Sequence, residues 1–325
     1  MKTCRLSLRA LGVLAFVLVA CGGGDSNVDD GGSDGAIPDG TGGKDVVAPD
    51  TGIDTGIDTG VMMDSGGGMD GTTESGADAA DGGFDVGSIS CVVLWLEASQ
   101  KVTIVNNVVS AWGDNSSSNN NAAQGTANLR PAQVMNVING HAVIRFDGNN
   151  NARELDIPDS MSLQWGTGDF LVEVVARFNN NPNGGMNTGV GTLYSKLNPN
   201  NLTGPVLLAN NVLGGPSTGL SGGVGMGNFF GLTQPYNDNA ARNYALQRVG
   251  TTLGLRVNGM NVATVLQNGN VDVSSTNVPV RIGADANGQT RRLNGDIAEL
   301  IACKGAISAQ DQSAIESYLK SKYNL

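Results

Sequence analysis

"TLGLRVNGMNVATVL" occupies residues 252 to 266, and its pattern decides the fold. Leu253, Leu255 and Val257 alternate with Gly254, Arg256 and Asn258. A period of two places the two sets on opposite faces of a strand. Asn258-Gly259 then supplies the pair of residues that tolerates positive φ in a two-residue hairpin. About 235 residues from Cys91 onward repeat the theme, with apolar runs separated by Gly, Asn, Asp and Pro clusters. "DFLVEVVARF" (169–178) is apolar on both parities, as befits a central strand covered on both faces. Further strands are expected at 92–97, 141–147, 190–197, 205–210, 279–284 and 296–303. Only the end reads as helical. Ser308 is placed to cap, Asp311 stands at the third helical position, and Ile315, Tyr318, Leu319 and Lys322 form a stripe at helical spacing. The expected fold is all-β, a two-sheet antiparallel β-sandwich or jelly roll over residues 91–325 with a short C-terminal helix.

The other end is an address. Lys2, Arg5 and Arg9 precede an apolar run from Leu11 to Val19, broken by Gly12 and closed by Ala20 and Cys21. That is the layout of a secretory signal over residues 1–20. Roughly ten apolar residues are too few to span a bilayer core of about 30 Å. Leu18-Val19-Ala20-Cys21 resembles the lipobox of bacterial lipoproteins. The resemblance implies cleavage before Cys21, a thioether to lipid on its sulfur and acylation of the new amine. The alternative is a plain signal peptide with an incidental cysteine. Acyl chains contribute about 0.8 kcal/mol per buried methylene, so several of them anchor a chain firmly. Gly22 after the cysteine leans the expected location toward the outer membrane and cell surface.

Residues 21–90 read as a linker. From residue 22 it holds fifteen Asp or Glu, one Lys (Lys44) and twenty Gly, a net charge of −14 against −11 for the whole chain. Residues 91–325 carry equal numbers of acids and bases. Low hydrophobicity and like charge cannot offset chain entropy, so disorder is expected here. "TGIDTGIDTG" (51–60) spaces Asp50, Asp54 and Asp58 by four with no closing acid, which is unlike a calcium loop. A neutral domain on an acidic spacer also gives no support to nucleic-acid binding.

Several ordered blocks carry a second resemblance. "VLWLEASQ" (93–100), "VSAWGDNSSSNNNAAQ" (109–124), "RP" (130–131), "NGHAVIRFDG" (139–148) and "GTGDFLVEVVARF" (166–178) are followed by "LRVNG" (255–259), "IGAD" (282–285) and "LNGDIAELIACKGAISAQDQSAIESYLKSKY" (293–323). Together they resemble the laminin-G-like, concanavalin A-type lectin domains of bacterial surface proteins. One departure is the stretch Asp114-Asn115-Ser116-Ser117-Ser118-Asn119, where such domains place two glycines. In the resembling fold the first and last strands are antiparallel neighbours. That implies a disulfide between Cys91 and Cys303, which an exported location permits; two buried free thiols are the alternative. The resemblance also implies a bound calcium, for which Asp114, Asp147, Asp285 and Asp296 are candidates. Each is equally a turn residue able to cap backbone N–H groups.

Catalytic chemistry finds little material. His141 is the sole histidine and heads a strand, and no nucleophile motif accompanies it. "ELDIPD" (154–159) resembles the Glu-x-Asp-x-(x)-Glu strand of laminarinase-type glycoside hydrolases, which would make Glu154 and Asp156 catalytic. Asp159 in the place of Glu, and Pro158 within the alternation, count against it. Trp95 and Trp112 fall on core positions of the resembling family. Phe230, Tyr236, Asn237, Asp238, Arg242 and Tyr244 cluster in the stretch 221–248 and are the candidate ligand-binding face. The expected function is non-enzymatic recognition of a glycan or another surface polymer. The alternatives are a protein-interaction module of the envelope and a glycanase.

Overall fold

The computed structural model describes residues 83–148, 153–178, 190–209, 219–225, 228–267, 269, 271–285 and 291–325. The chain divides into residues 1–71 and 72–325, and every described residue lies in the second unit. Cys21 and most of the expected linker therefore lie outside the described residues.

Seventeen strands are present among the described residues. In chain order they open with β1 (Val92–Glu97), β2 (Val102–Val105), β3 (Val108–Trp112), β4 (Ala122–Ala123), β5 (Ala132–Ile138) and β6 (His141–Phe146). Next come β7 (Leu155–Ile157), β8 (Phe170–Phe178), β9 (Gly191–Ser195), β10 (Val206–Ala209), β11 (Leu220–Gly223) and β12 (Phe229–Gly231). The last are β13 (Arg242–Val249), β14 (Thr252–Val257), β15 (Met260–Leu266), β16 (Val280–Ile282) and β17 (Gly295–Lys304), followed by the helix α1 (Ala309–Tyr323). They form two antiparallel sheets of eight and nine strands. The larger runs β12-β11-β10-β9-β16-β7-β4-β3-β2. The smaller runs β15-β14-β13-β8-β17-β6-β5, with β1 also paired to β17. The Asn258-Gly259 hairpin forms as its sequence dictates, both residues at positive φ and Val257 facing Met260.

Alternation sorts the side chains. Leu94, Leu96, Ile144, Phe146, Val172, Val174, Leu246, Leu300 and Ala302 point between the sheets, where they meet Leu155, Ile157, Leu193, Leu207, Val280 and Ile282 from the other sheet. Trp112, Trp165 and Phe170 complete this core. The opposite face of the eight-stranded sheet carries a second apolar layer of Val143, Leu171, Val175, Ala298 and Ile301. Ile315, Tyr318, Leu319 and Tyr323 of α1 cover it. The helix starts as expected, with the Ser308 hydroxyl accepting from the Asp311 N–H.

One boundary moves. The expected linker end at residue 90 is part of the packed domain, because Val86 and Ile89 are buried with α1's layer and Phe84 stacks on Tyr318 at 5.7 Å between ring centroids. Three large apolar side chains in an otherwise polar stretch give it surface to bury.

Cys91 and Cys303 meet where β1 pairs β17: Val92 stands opposite Cys303, and the Lys304 N–H donates to the Cys91 carbonyl. Both are free thiols here, Cys303 buried and Cys91 half-buried. Their mutual hydrogen bond holds the Cys91 thiol below its ordinary value and, with burial, pushes Cys303 above it. Oxidation is expected to close a disulfide across this strand pair, so protein purified without reductant should resist alkylation at both positions until it is reduced. Alkylation at both sites without reductant would exclude that bond.

Glu173 lies on β8 beneath α1, 1% exposed. Burial pushes its carboxyl up to about 8, against a hydrogen bond from Asn243. The folded chain thus keeps a proton that the unfolded chain releases near the ordinary value of 4.5. Stability from this proton is complete below that value and is lost as pH rises through the folded value. The Glu173→Gln variant should match the parent in urea midpoint at about pH 5 and exceed it at about pH 9.

Candidate functional site

The site follows from the length of β17. Its ten residues are matched on one edge by β8 alone, but on the other by two shorter strands. Gly295 to Ile297 pair with β6, whereas Glu299 to Cys303 pair with β1, and the register shifts between Ile297 and Glu299. Where β1 takes over, the first residues of β6 leave the edge. A cavity of about 780 Å³ opens in this fork. Trp95 and Glu97 of β1 line one side, and the Asn139-Gly140 turn with His141 lines the other. Phe84, Tyr318 and Lys322 close it from above, and Gln100 and Asn136 stand at the margin. Ligand sites have this size and this mix of aromatic wall and fixed polar groups.

A charged network forms the floor. Glu97 and Glu299 are direct cross-strand partners, both on the outward face and both buried. Lys322, in the last turn of α1, places its ammonium 2.9 Å from Glu97 and 3.1 Å from Glu299. The Trp95 indole N–H and the Tyr323 hydroxyl each donate to Glu299 at 2.7 Å. Ser99 and Gln100 donate to Glu97. Burial pushes the Glu299 carboxyl above its ordinary range, Lys322 pulling it back. The ammonium also lies over the Tyr318 and Tyr323 rings. Two like charges side by side in a dry place are tolerable only with such a counter-ion.

His141 heads β6 as expected, half-exposed, with its ring edge-on to Tyr323 at 5.1 Å. Trp112 is fully buried in the core, as the resemblance implies. Trp95 is the correction. It sits on the outward face of β1, half-buried, and walls the cavity.

The 221–248 face needs a larger correction. Tyr244 is fully buried and Tyr236 nearly so, their rings 5.8 Å apart, so neither offers a face to a ligand. For Tyr244 the reason is strand alternation, since β13 runs between β8 and β14 with this residue turned inward, and Tyr236 packs edge-on against it. Arg242 lies over the Tyr236 ring and grips Asp238 with two hydrogen bonds of 2.7 Å. Phe230 packs against the core's rim, and Asn237 is half-exposed beside Asp238.

The four calcium candidates do not come together. Asp114 accepts from the N–H groups of Trp95, Ser116 and Asn120 and from the Ser116 hydroxyl, at 2.7–2.8 Å. Its loop folds around that carboxylate, with Asn119 taking the positive φ that glycine would otherwise supply. Asp296 is gripped by Arg145 and Arg177. Asp147 is exposed and Asp285 buried. No cluster of three His, Cys, Asp or Glu groups fit to hold a metal occurs among the described residues.

In "ELDIPD", Leu155 and Ile157 point into the core, which leaves Glu154 and Asp156 together on the outward face of the nine-stranded sheet. Asp159 stands apart from them. Its carboxylate binds the buried ammonium of Lys196 at 2.6 Å and accepts from Gln164 and the Asn277 N–H.

No protein-family model matches this sequence, and no relative was found among curated proteins. Solved structures do share the architecture. The binding domain of Paraclostridial Mosquitocidal Protein 1 is 14% identical over 72% of this chain and 53% of its own, with a TM-score of 0.52. An arabinofuranosidase complexed with arabinofuranosyl-α-1,2-xylobiose is 11% identical over 73% of this chain and 60% of its own, with a TM-score of 0.50. The chain thus spans about half the length of the first and three-fifths of the second. At these identities the likeness is one of fold.

Lys322 is the group on which the cavity floor depends. Lys322→Met should destabilise the domain by about 3–5 kcal/mol, because it strands two buried carboxylates. Adding Glu97→Gln to that variant should recover part of the loss in the same urea titration.

Proposed function

We propose that this domain is a non-catalytic glycan-binding module, with the Trp95 cavity as its sugar site, carried at the cell surface on a lipidated Cys21 and an acidic spacer. The cavity itself carries the reading. A half-buried indole beside a tyrosine and a phenylalanine provides apolar faces on which a sugar ring can lie. Amides at Gln100, Asn136 and Asn139 and the His141 imidazole stand around it as donors and acceptors for hydroxyls. Further support comes from the fold's company. The mosquitocidal homologue in architecture is a binding domain, and the arabinofuranosidase was solved with a sugar.

The reading needs neither metal nor catalysis. Calcium would have to displace the donors that saturate Asp114, or the two arginines on Asp296. A laminarinase-like reaction would need a third carboxylate in line with Glu154 and Asp156, and Asp159 is committed to Lys196.

The test is a panel of oligosaccharides against the full chain, followed by calorimetry on any hit. Binding should persist in EDTA, weaken about tenfold in His141→Ala, and disappear in Trp95→Ala. His141 is half-exposed and its replacement leaves the core intact. A panel without hits, together with a co-purifying envelope protein, would replace the glycan reading by the protein-interaction one. Release of sugar, lost in Glu154→Gln, would replace it by the glycanase.

A further inference from the structure

We infer that the fork cavity selects uncharged glycans and rejects sugars that carry a carboxylate or a sulfate. The inference rests on the glycan reading proposed above and names the class of sugar that its site takes.

The first ground is how the one ammonium is used. Glu97 and Lys322 are the acid and the base that line the cavity among the described residues, and Glu299 stands directly across from Glu97 on β17. An ammonium has three N–H donors. Those of Lys322 go to Glu97 at 2.9 Å, to Glu299 at 3.1 Å and to the Tyr318 hydroxyl at 2.7 Å. Its side chain is 9% exposed, and it has no donor left to give a ligand. The floor also holds two carboxylates to one ammonium. Burial already pushes the Glu299 carboxyl up, and Glu97 adds to the push. A ligand that brings a further anion into this space meets repulsion, with no uncommitted ammonium to offset it.

The second ground is the direction of the amides. Gln100 donates its Nε2 to Glu97 at 2.6 Å, and Asn139 donates its Nδ2 to the Lys322 carbonyl at 2.9 Å. Both partners can only accept, so each amide is fixed with its N–H end toward the protein. No hydrogen bond to Gln100 Oε1 or Asn139 Oδ1 occurs among the described residues, and both side chains are exposed. Two carbonyl oxygens at the cavity thus await donors. A sugar hydroxyl supplies one, whereas a carboxylate or sulfate oxygen only accepts and adds to the repulsion. Asn136 and His141 are left as donors, enough to meet a hydroxyl oxygen and too few to replace a cation.

The experiment sets charge-matched probes against the full chain at pH 8, where an ordinary imidazole is uncharged. The pairs are lactose with 3′-sulfated lactose, dextran with dextran sulfate, and the methyl ester of a galacturonic acid tetramer with its free acid. Calorimetry follows on each pair that binds. The neutral member should bind about tenfold more tightly, and added salt should narrow the gap. Glu97→Gln and Gln100→Lys each make the floor one charge more positive, the second at an exposed position that leaves the core intact. Both should raise affinity for the acidic member about tenfold. Trp95→Ala should abolish binding of the neutral one. Equal or tighter binding of the acidic members by the parent chain would overturn the inference, as would a gap that neither variant narrows. Neutral binding that survives Trp95→Ala would overturn it too, because the selection would then lie outside the fork. Silence on all three pairs removes this inference, and a silent oligosaccharide panel removes the glycan reading as well.

Discussion

One strand with two neighbours on the same edge organises this domain. β17 is longer than either β1 or β6, which divide one of its edges: β6 takes Gly295 to Ile297 and β1 takes Glu299 to Cys303. On the other edge β8 follows β17 for its whole length, with one register shift between Ile297 and Glu299. The divided edge is different. Two strands cannot occupy the same ladder positions, so they splay and leave space between them. Everything in the cavity derives from that geometry: Trp95 and Glu97 belong to the strand that takes over, and His141 to the strand that leaves. The N-terminal segment and α1 then seal the fork, and β1 stays paired with β17 as far as Cys303.

Electrostatics distinguishes the two outward faces. Beneath α1, every oxygen of Glu97 and Glu299 has a partner, and one lysine neutralises half their charge. Such a network is expensive to assemble and favours one arrangement of helix on sheet over any slipped alternative. It gives α1 a register that its apolar stripe alone would not define. The opposite sheet carries a less complete arrangement. There a guanidinium meets one carboxylate, and burial pushes the neighbouring Glu154 up to about 7. The domain is neutral in sum, so its local imbalances, rather than a net field, must distinguish partners.

The fold was legible and the site was not, for a physical reason that particular residues make plain. Strand pattern depends on short-range alternation. The hairpin at Asn258-Gly259, the double-sided apolarity of residues 169–178 and the cap at Ser308 could all be read locally. Tyr236 and Tyr244 show where local reading ends. An aromatic between asparagines and arginines looks like a ligand platform until the strand through residues 242–249 assigns it an inward parity. Trp95 errs in the other direction. Its neighbours Leu94 and Leu96 face the core, so the alternation that buries them turns the indole outward. The cavity joins residues 84, 97, 141 and 322, and no short window of sequence contains that conjunction.

A sandwich of this type is defined by what lies between its sheets, and that interior is generic: leucine, valine, isoleucine and a few aromatics at alternating positions. Proteins 11–14% identical to this chain can therefore share its architecture while acting on different partners. The distinguishing chemistry must sit on the outward faces, at the positions that α1 and its apolar layer leave uncovered. On one face a helix and an N-terminal segment add aromatic walls around a strand fork. On the other, a short strand holds two acids outward because its two leucine-like neighbours face in. The same period of two that conceals Tyr244 thus presents Glu154 and Asp156, and it makes the choice of outward residue almost independent of the stability of the core. Function in this domain can change by substitution at those outward positions without any penalty in the inner layer.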